Sequence, residues 1–361
     1  MSSPVTYQPA FWKRLRKNRG AVFGLIIIAM AMLLALFAYF IVPDHSTYAN
    51  RIIPQISNKK PGFRILLLRV KKQDSIPPAS FFSELISGAP DAYTYVPLTA
   101  YRIQRDTLQG SRFIDDGITA PGSYPLTALA TDPVIPAKFW LGSDRFGRDI
   151  LSRLIIGVRV SLGVGLIAVA ISLTIGILLG MLAGYYRGWV DEITMWLINV
   201  IWSIPTLLLV FAITLVLGKG FWQVFIAVGL TMWVNVARLV RGQVLAIREL
   251  EYIAAAKALG YSPLRIMIRH ILPNILGPVM VIAASNFASA IVIEAGLSFL
   301  GVGVQPPEPS WGLMIRENYN FIITHNPMLA LAPGIAIMLL VLAFNLLGNG
   351  LRDALDVKGK I

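Results

Sequence analysis

Long apolar stretches with few charged residues alternate with short polar segments along most of the chain. A bilayer-spanning helix needs about 20 consecutive apolar residues, and six stretches approach or exceed this length. They cover residues 21–42, 160–186, 193–218, 220–237, 271–293 and 327–351. Several contain glycine or proline, which helices tolerate better in a membrane than in water. The pattern predicts an α-helical integral membrane protein with six transmembrane helices.

Composition agrees with this prediction. The 361 residues are 56% hydrophobic and 14% charged, whereas soluble domains are about a quarter charged. The net charge is +13, but the cationic residues flank apolar stretches and form no single stripe among aromatic residues. Nucleic acid is therefore not an expected ligand. The chain has no cysteine, which excludes disulfides, thiolate metal ligands and cysteine nucleophiles, and no metal site is expected.

Lysine and arginine predict the orientation of the spans. One side of the membrane is assigned the short loops between the third and fourth stretches and between the fifth and sixth. The only cationic residues in these two loops are Lys219 and Arg316. The cationic residues assigned to the other side are Lys13, Arg14, Arg16, Lys17, Arg19, Arg187, Arg238, Arg241, Arg248, Lys257, Arg265, Arg269, Arg352, Lys358 and Lys360. By the positive-inside rule, the tails 1–20 and 352–361 and the loop 243–272 are expected in the cytoplasm.

The long segment between the first two apolar stretches, residues 43–140, is expected outside the cytoplasm. It combines turn-rich clusters such as "SIPPAS" with apolar stretches such as "FRILLLRV". Its apolar content favours a small mixed α/β insert over a disordered loop. Residues 141–351 would then form the membrane core with the remaining five helices. The aromatic residues expected in the core of the insert are Phe63, Phe81, Phe82, Tyr93, Tyr95 and Tyr101.

A less hydrophobic stretch, "EYIAAAKALGYSPLRIMIRHILPN", interrupts the spans at residues 251–274. Its first part favours a helix that ends at Gly260. Ser262 then predicts the cap of a second helix beginning at Pro263. The consecutive alanines would let another surface approach the helix backbone closely. A connector lying on lipid headgroups is an equal alternative from the residues alone.

This stretch resembles the cytoplasmic EAA loop of permease subunits in bacterial ABC importers, which docks on the ATP-binding subunit. Ala254 stands where the family has glutamate, and His270 where it has isoleucine. Glu251 lies nearly one turn earlier and is a candidate for the role of the missing glutamate. The residues that match the loop at its spacing are Ala255, Ala256, Gly260, Leu272 and Pro273.

Two further stretches narrow the resemblance. "LGSDRFGRDILSRLIIGVRVSL" at 141–162 and "EAGLSFLGVGVQPPEPSWGLMI" at 294–315 are similar to segments of the second permease subunit in the dipeptide, oligopeptide and nickel branch. The N-terminal "KRLRKNRGAVFGL" is similar as well. The resemblance covers the first span and everything from about residue 138, but not most of 43–137.

The resemblance implies a type I permease fold in the bacterial cytoplasmic membrane. Its implied partners are a homologous second permease, two ATP-binding subunits, an extracytoplasmic substrate-binding protein and membrane lipid. ATP and magnesium would be bound by the ATP-binding subunits, with no cofactor on this chain. The chain itself would not be an enzyme.

Polar residues within the spans are candidates for a translocation path or gate. Asn199, Ser203 and Pro205 lie in the third span, which Pro205 should kink, and Asn286 lies in the fifth. Small polar residues also join membrane helices, so packing is an alternative for each. Glu294 ends a long apolar run. A function is the default hypothesis for an acid at such a position, and simple solvation at the end of the span is the alternative.

Residues 143–159 predict an interfacial helix that leads into the second span. Arg145 with Asp149, and Asp149 with Arg153, stand four residues apart and are expected to pair. Structural anchoring is favoured here over a gate or a receptor contact.

Other functional classes have weaker support. A secondary transporter should show paired repeats with broken helices, and a membrane enzyme should show a cluster such as HExxH or GxSxG. Neither pattern is found, and no GxxxxGK[ST] phosphate loop is present, so energy must come from a partner. The sequence favours the permease subunit of an ATP-driven importer of di- or oligopeptides, and a nickel-type permease is the alternative.

Overall fold

The computed structural model describes residues 8–72, 80–218, 220–321 and 326–355. Lys219, Lys358 and Lys360 of the charge pattern lie outside these residues, as do the side chains of Phe81 and Phe82. The helices are α1 (Gln8–Lys17), α2 (Arg19–Ile41), α3 (Phe81–Ser87), α4 (Ile150–Tyr186), α5 (Gly188–Trp202), α6 (Thr206–Leu217), α7 (Phe221–Arg248), α8 (Glu251–Ala258), α9 (Pro263–Ile266), α10 (Leu272–Leu300), α11 (Trp311–Asn318) and α12 (Met328–Leu355).

Five helical segments of the described chain are long and apolar enough to cross a membrane. They are α2, α4, α7, the run Pro263–Leu300 that contains α10, and α12. The pair α5 and α6 makes a sixth when it is counted as one span. These segments correspond to the six predicted apolar stretches, although α4 begins at Ile150 and α7 extends to Arg248.

The third predicted span is bent at Pro205 as expected, and the bend is sharp enough to divide the span into two helices. Helices α5 and α6 are bent by 93° at a short break. Pro205 has extended backbone angles there. It has no N–H to donate to the carbonyl of Ile201, and it disfavours helical geometry at the preceding residue. The proline therefore ends α5 instead of bending it.

The chain forms two compact units. The first contains the chain up to Ala31, Ser161–Gln305 and the chain from Ile337 onward. The second contains Met32–Val160 and Pro306–Ala336.

Within the first unit, α4 packs closely on α7 through glycines spaced by four residues. A Cβ atom at Gly176 would lie 2.5 Å from the Cβ of Val236, and one at Gly180 would lie 2.5 Å from the carbonyl oxygen of Ala237. A Cβ atom at Gly184 would lie 2.8 Å from the Cβ of Val244. Small residues at this spacing let membrane helices approach backbone to backbone.

The second unit contains a five-stranded antiparallel sheet in the order β4-β3-β2-β1-β5. The two edge strands, β4 and β5, each carry two prolines, at Pro121 and Pro125 and at Pro133 and Pro136. Prolines are common on edge strands because they have no N–H to donate to a ladder, and an edge strand is paired on one side only. The strands are β1 (Phe63–Lys71), β2 (Tyr93–Gln104), β3 (Thr107–Asp115), β4 (Ile118–Pro125) and β5 (Leu129–Phe139).

The sheet has apolar clusters on both faces, because successive strand residues point to opposite sides. Leu67 packs with Ile53 and Phe139 in one cluster, while Leu68 packs with Leu98 in the other. The core is thus more aliphatic than the sequence suggested. Of the predicted aromatic core residues, Phe63 and Tyr95 do pack against the first cluster, but Tyr101 is exposed.

The pairs predicted in 143–159 are not formed in the part of the chain that the structure describes. Arg145 lies 3.4 Å from Glu317 instead. Asp149 caps α4, with its Oδ2 accepting hydrogen bonds from the backbone N–H and the hydroxyl of Ser152. Arg153 is fully buried. The helix begins one residue after Asp149, so the carboxylate lies at the end of the helix and faces the unpaired backbone donors there.

Candidate functional site

Two short helices, α8 and α9, are connected by a tight turn at Gly260. The N–H of Gly260 donates to the carbonyl of Lys257, and that of Tyr261 donates to the carbonyl of Ala256. These two bonds form a Schellman motif, which places Gly260 in the left-handed region at φ +78. The side chain of Ser262 accepts from the backbone N–H of Arg265 and caps α9. The predicted helix stop and cap are both confirmed.

The structure separates the two matched alanines. Ala256 is 4% exposed and packs with Ile253 in a cluster that also contains Val240, Val244 and Ile266. Ala255 is exposed. The expectation that both alanines face a partner is therefore corrected, because Ala256 holds α8 against the body of its own chain.

An exposed ridge follows the outer side of α8. Glu251, Ala255 and Leu259 are spaced by four residues and are all exposed, so they follow one line along the helix. Leu259 is 73% exposed, and Leu264 on α9 is 62% exposed. We call Glu251, Ala255 and Leu259 the α8 ridge. It presents a small residue between an acid and a large apolar side chain.

A π-helical turn, Met267–Ile271, joins α9 to α10. The N–H of Leu272 donates to the carbonyl of Met267, five residues earlier. Pro273 has no N–H for the carbonyl of Arg269, which accords with a wider turn at this point. Leu272 is half-buried and Pro273 is exposed. His270, one of the departures from the family pattern, stacks on Tyr261 with ring centroids 5.8 Å apart.

A cavity of about 400 Å³ lies in the first unit, beside the break between α5 and α6. Trp202 lines it and donates its indole N–H to Oδ1 of Asn235 at 3.2 Å. The guanidinium of Arg238 lies 4.2 Å from the centroid of the Trp202 ring. The polar residues that line the cavity are Thr206, Thr231, Asn235, Ser289 and Asn345.

None of the five residues predicted for a path or gate lines this cavity. Asn199 is exposed on α5, and the hydroxyl of Ser203 donates to the carbonyl of Val200 at 2.7 Å. Pro205 forms the break. Asn286 is buried, with its amide 3.5 Å from the hydroxyl of Ser172 on α4. That contact accords with the packing alternative for Asn286.

Glu294 is 0% exposed in this chain, so the solvation alternative does not hold. The hydroxyl of Ser298 donates to its Oε1 at 2.6 Å. The same hydroxyl oxygen accepts from the N–H of Val304 at 3.0 Å. The acid therefore takes part in a polar connection between the end of α10 and the turn that follows it.

Two of the cavity residues that were not predicted from the sequence do have a recognisable signal in it. Asn235 and Asn345 are amides near the middle of α7 and α12, and a polar side chain in mid-span is unusual enough to mark. Trp202 gave no such signal. Its position depends on the separation of α5 from α6, which the sequence pattern does not indicate.

A buried polar network lies in the second unit. Arg148 contacts Asp144 at 2.6 Å and Glu317 at 2.7 Å. Burial raises the pKa of the Asp149 carboxyl to about 6, although its hydrogen bonds with Ser152 act in the opposite direction. Because buried charges are stable only when paired or hydrogen-bonded, this network fixes the segment before α4 to α11.

Comparison with known families agrees with these features. Residues 176–358, about half of the chain, match the family described as binding-protein-dependent transport system inner membrane component. The chain belongs to this family, a class of multi-pass inner-membrane transport components. Residues 9–61 also match the N-terminal TM domain of oligopeptide transport permease C. These matches confirm the resemblance and the helical permease fold expected from the sequence.

Curated relatives narrow the similarity further. The glutathione transport system permease protein GsiD of Pectobacterium atrosepticum is 44% identical over 221 residues, which are 61% of this chain and 73% of that protein. The dipeptide transport system permease protein DppC of Alkalihalophilus pseudofirmus is 45% identical over 224 residues, 62% and 73% respectively. The MetNI methionine ABC transporter, solved in inward-facing conformations, aligns at 20% identity and a TM-score of 0.46, covering 57% of this chain and 97% of that chain.

Proposed function

We propose that this chain is one of two permease subunits in an ATP-driven importer of di- or oligopeptides, and that it meets a separate ATPase subunit through α8 and α9. The α8 ridge carries this proposal. Its exposed Ala255 leaves room for close approach, and Leu259 and Leu264 add apolar surface that a partner can bury. Burying a leucine side chain contributes roughly 1.5–3 kcal/mol.

The inner side of α8 explains how a docked ATPase would move the spans. Ile253 and Ala256 pack on Val240 and Val244 of α7. A force on the α8 ridge would therefore reach α7 through a packed core, which transmits displacement because it has few voids. The π-helical turn at Met267–Ile271 is the second connection, since it leads directly into α10.

The proposal assigns sides and partners. The tails 1–20 and 352–361 and the loop 243–272 are cytoplasmic, and residues 43–140 form an extracytoplasmic lobe that precedes the core 141–351. A substrate-binding protein delivers the peptide, the second permease completes the path, and two ATPase subunits hold ATP and magnesium. The charge distribution supports this arrangement.

Short peptides are the proposed substrates because of the named relatives. One relative carries a dipeptide transport name and another a glutathione transport name. Both substrates are small molecules that contain peptide bonds. We therefore propose a short peptide as the substrate class.

The test substitutes Ala255 with leucine and measures co-purification of the ATPase subunits. Overpacking a tight contact costs about 1–3 kcal/mol, so association should weaken by roughly fivefold to 150-fold. Leucine favours helix, so α8 itself should persist. The matched control is Lys257→Gln on the same helix, which is exposed and should retain its partners.

The opposite result would identify α8 and α9 as a connector on the lipid surface. Ala255→Leu would then keep full assembly and coupled transport, while Lys257→Gln would lose them because its charge attracts lipid headgroups. Ala256→Leu is unsuited to this test, because the new side chain would disrupt the chain's own core.

A further inference from the structure

Two asparagines stand in mid-span positions and line the same cavity. Asn235 lies near the middle of α7 and Asn345 near the middle of α12, and both are exposed within the chain. An amide facing hydrocarbon without partners is costly. Polar residues at membrane depth are therefore expected to face the bundle interior or a water-filled cavity.

The contact with Trp202 fixes which way the Asn235 amide points. An indole N–H can only donate, so the oxygen of Asn235 must face Trp202, at 3.2 Å. The NH₂ group is then available to an acceptor from elsewhere. Arg238 lies over the Trp202 ring at 4.2 Å and helps to hold the indole in place.

The cavity lining matches the chemistry of a peptide group. Its polar residues are hydroxyls and amides, and none of the described residues that line it carries a charge. The hydroxyl of Thr231 donates to the carbonyl of Val228 at 2.9 Å, which leaves its oxygen able to accept. An asparagine side chain is itself an amide, so it can donate to and accept from a peptide group.

We propose that this cavity binds the backbone of the transported peptide, with Asn235 donating to a substrate carbonyl and Asn345 pairing with a second peptide group. The inference rests on the proposed function and specifies what the path recognises. Neutral amides form hydrogen bonds with the peptide bond, which all peptides share. Such contacts do not depend on the charge of the side chains of the transported peptide. Trp202 supplies an apolar wall next to them.

The test compares two probes in the assembled transporter with its binding protein, reconstituted in liposomes with ATP. One probe is radiolabelled trialanine, and the other is its analogue with one amide replaced by an ester, which lacks an N–H and has a weaker carbonyl acceptor. The measured quantity is the ratio of their uptake rates. The same binding protein is used with the wild type and with each variant. A difference in the uptake ratio between them must therefore arise from the permease.

Asn235→Leu and Asn345→Leu keep side-chain size but remove the amide. Each should lower trialanine uptake by roughly three- to tenfold, the range for one hydrogen bond, and should bring the uptake ratio closer to one. Asn199→Leu is the matched control, because Asn199 is an exposed asparagine that does not line the cavity. Asn235→Ser serves as a second variant if Asn235→Leu fails to assemble.

The outcomes separate this inference from the proposed function. If the wild type takes up no peptide, the proposed function fails, and the inference fails with it. If the wild type imports trialanine but the leucine variants keep both rate and ratio, the function stands and the inference is overturned. Selective loss of the second permease from these variants would also overturn it, because the cavity would then be a subunit interface.

Discussion

Adding one methyl group at Gly180 should destabilise the first unit. A Cβ atom there would lie 2.5 Å from the carbonyl oxygen of Ala237 and 2.8 Å from the Cβ of Val240. Ordinary contacts begin at 3.4 Å. Helices α4 and α7 would therefore have to separate by about 1 Å, a shift of the kind that overpacking forces on a core.

The free-energy change follows from two opposing effects. Overpacking costs about 1–3 kcal/mol, and we take the upper end because a backbone oxygen cannot rotate away. Replacing glycine by alanine in a helix contributes about 1 kcal/mol in the other direction. The net destabilisation of Gly180→Ala is thus about 2 kcal/mol.

Gly242 lies on α7 and provides the matched control, Gly242→Ala. No atom would lie within 4 Å of a Cβ at this position. This control should stabilise the chain by about 1 kcal/mol. Thermal midpoints of the purified protein in detergent measure both, at roughly 2–4 °C per kcal/mol. Equal midpoints for the two variants would show that α4 and α7 do not pack this closely.

Three further predictions concern other parts of the chain. Burial raises the pKa of Asp149 to about 6, so the unfolded state releases this proton at a lower pH than the folded state does. As the pH rises from about 4 to about 6, the thermal midpoint of the wild type should therefore fall. The midpoint of Asp149→Asn should fall less, and equal falls would contradict this prediction. Impermeant thiol reagents applied to intact cells should label Arg105→Cys but not Lys257→Cys, and the reverse pattern would invert the topology. Leu108 is fully buried, so Leu108→Ala should cost about 2–5 kcal/mol and accelerate proteolysis of the sheet, whereas an unchanged cleavage rate would argue against an ordered lobe.

The sequence was most informative where a local signal determines a local structure. The caps at Gly260 and Ser262 depend on residues a few positions away, so both could be predicted. The spans could be located for the same reason, because a run of about 20 apolar residues has few alternatives. The break at Pro205 was underestimated, since the sequence does not say whether the neighbouring helices can compensate for a missing hydrogen bond.

The sequence was least informative where the outcome depends on distant segments. Nothing near Arg145 indicates that its partner is Glu317, which lies 172 residues further along the chain. Ala255 and Ala256 are identical in type, and only the packing of Ile253 on α7 shows that one faces inward. The strand order of the sheet also lay beyond pattern reasoning, because pairing depends on contacts between segments far apart in the chain.

The four prolines on the edge strands of the sheet limit how the lobe can associate. A strand from another molecule binds an open edge by matching its donors and acceptors, and a proline has no N–H to contribute to such a ladder. Pro121 and Pro125 interrupt one edge, and Pro133 and Pro136 the other. Each edge strand thus has two positions without an N–H donor. Prolines on edge strands disfavour strand addition, so molecules that contact this sheet are expected to recognise its side chains.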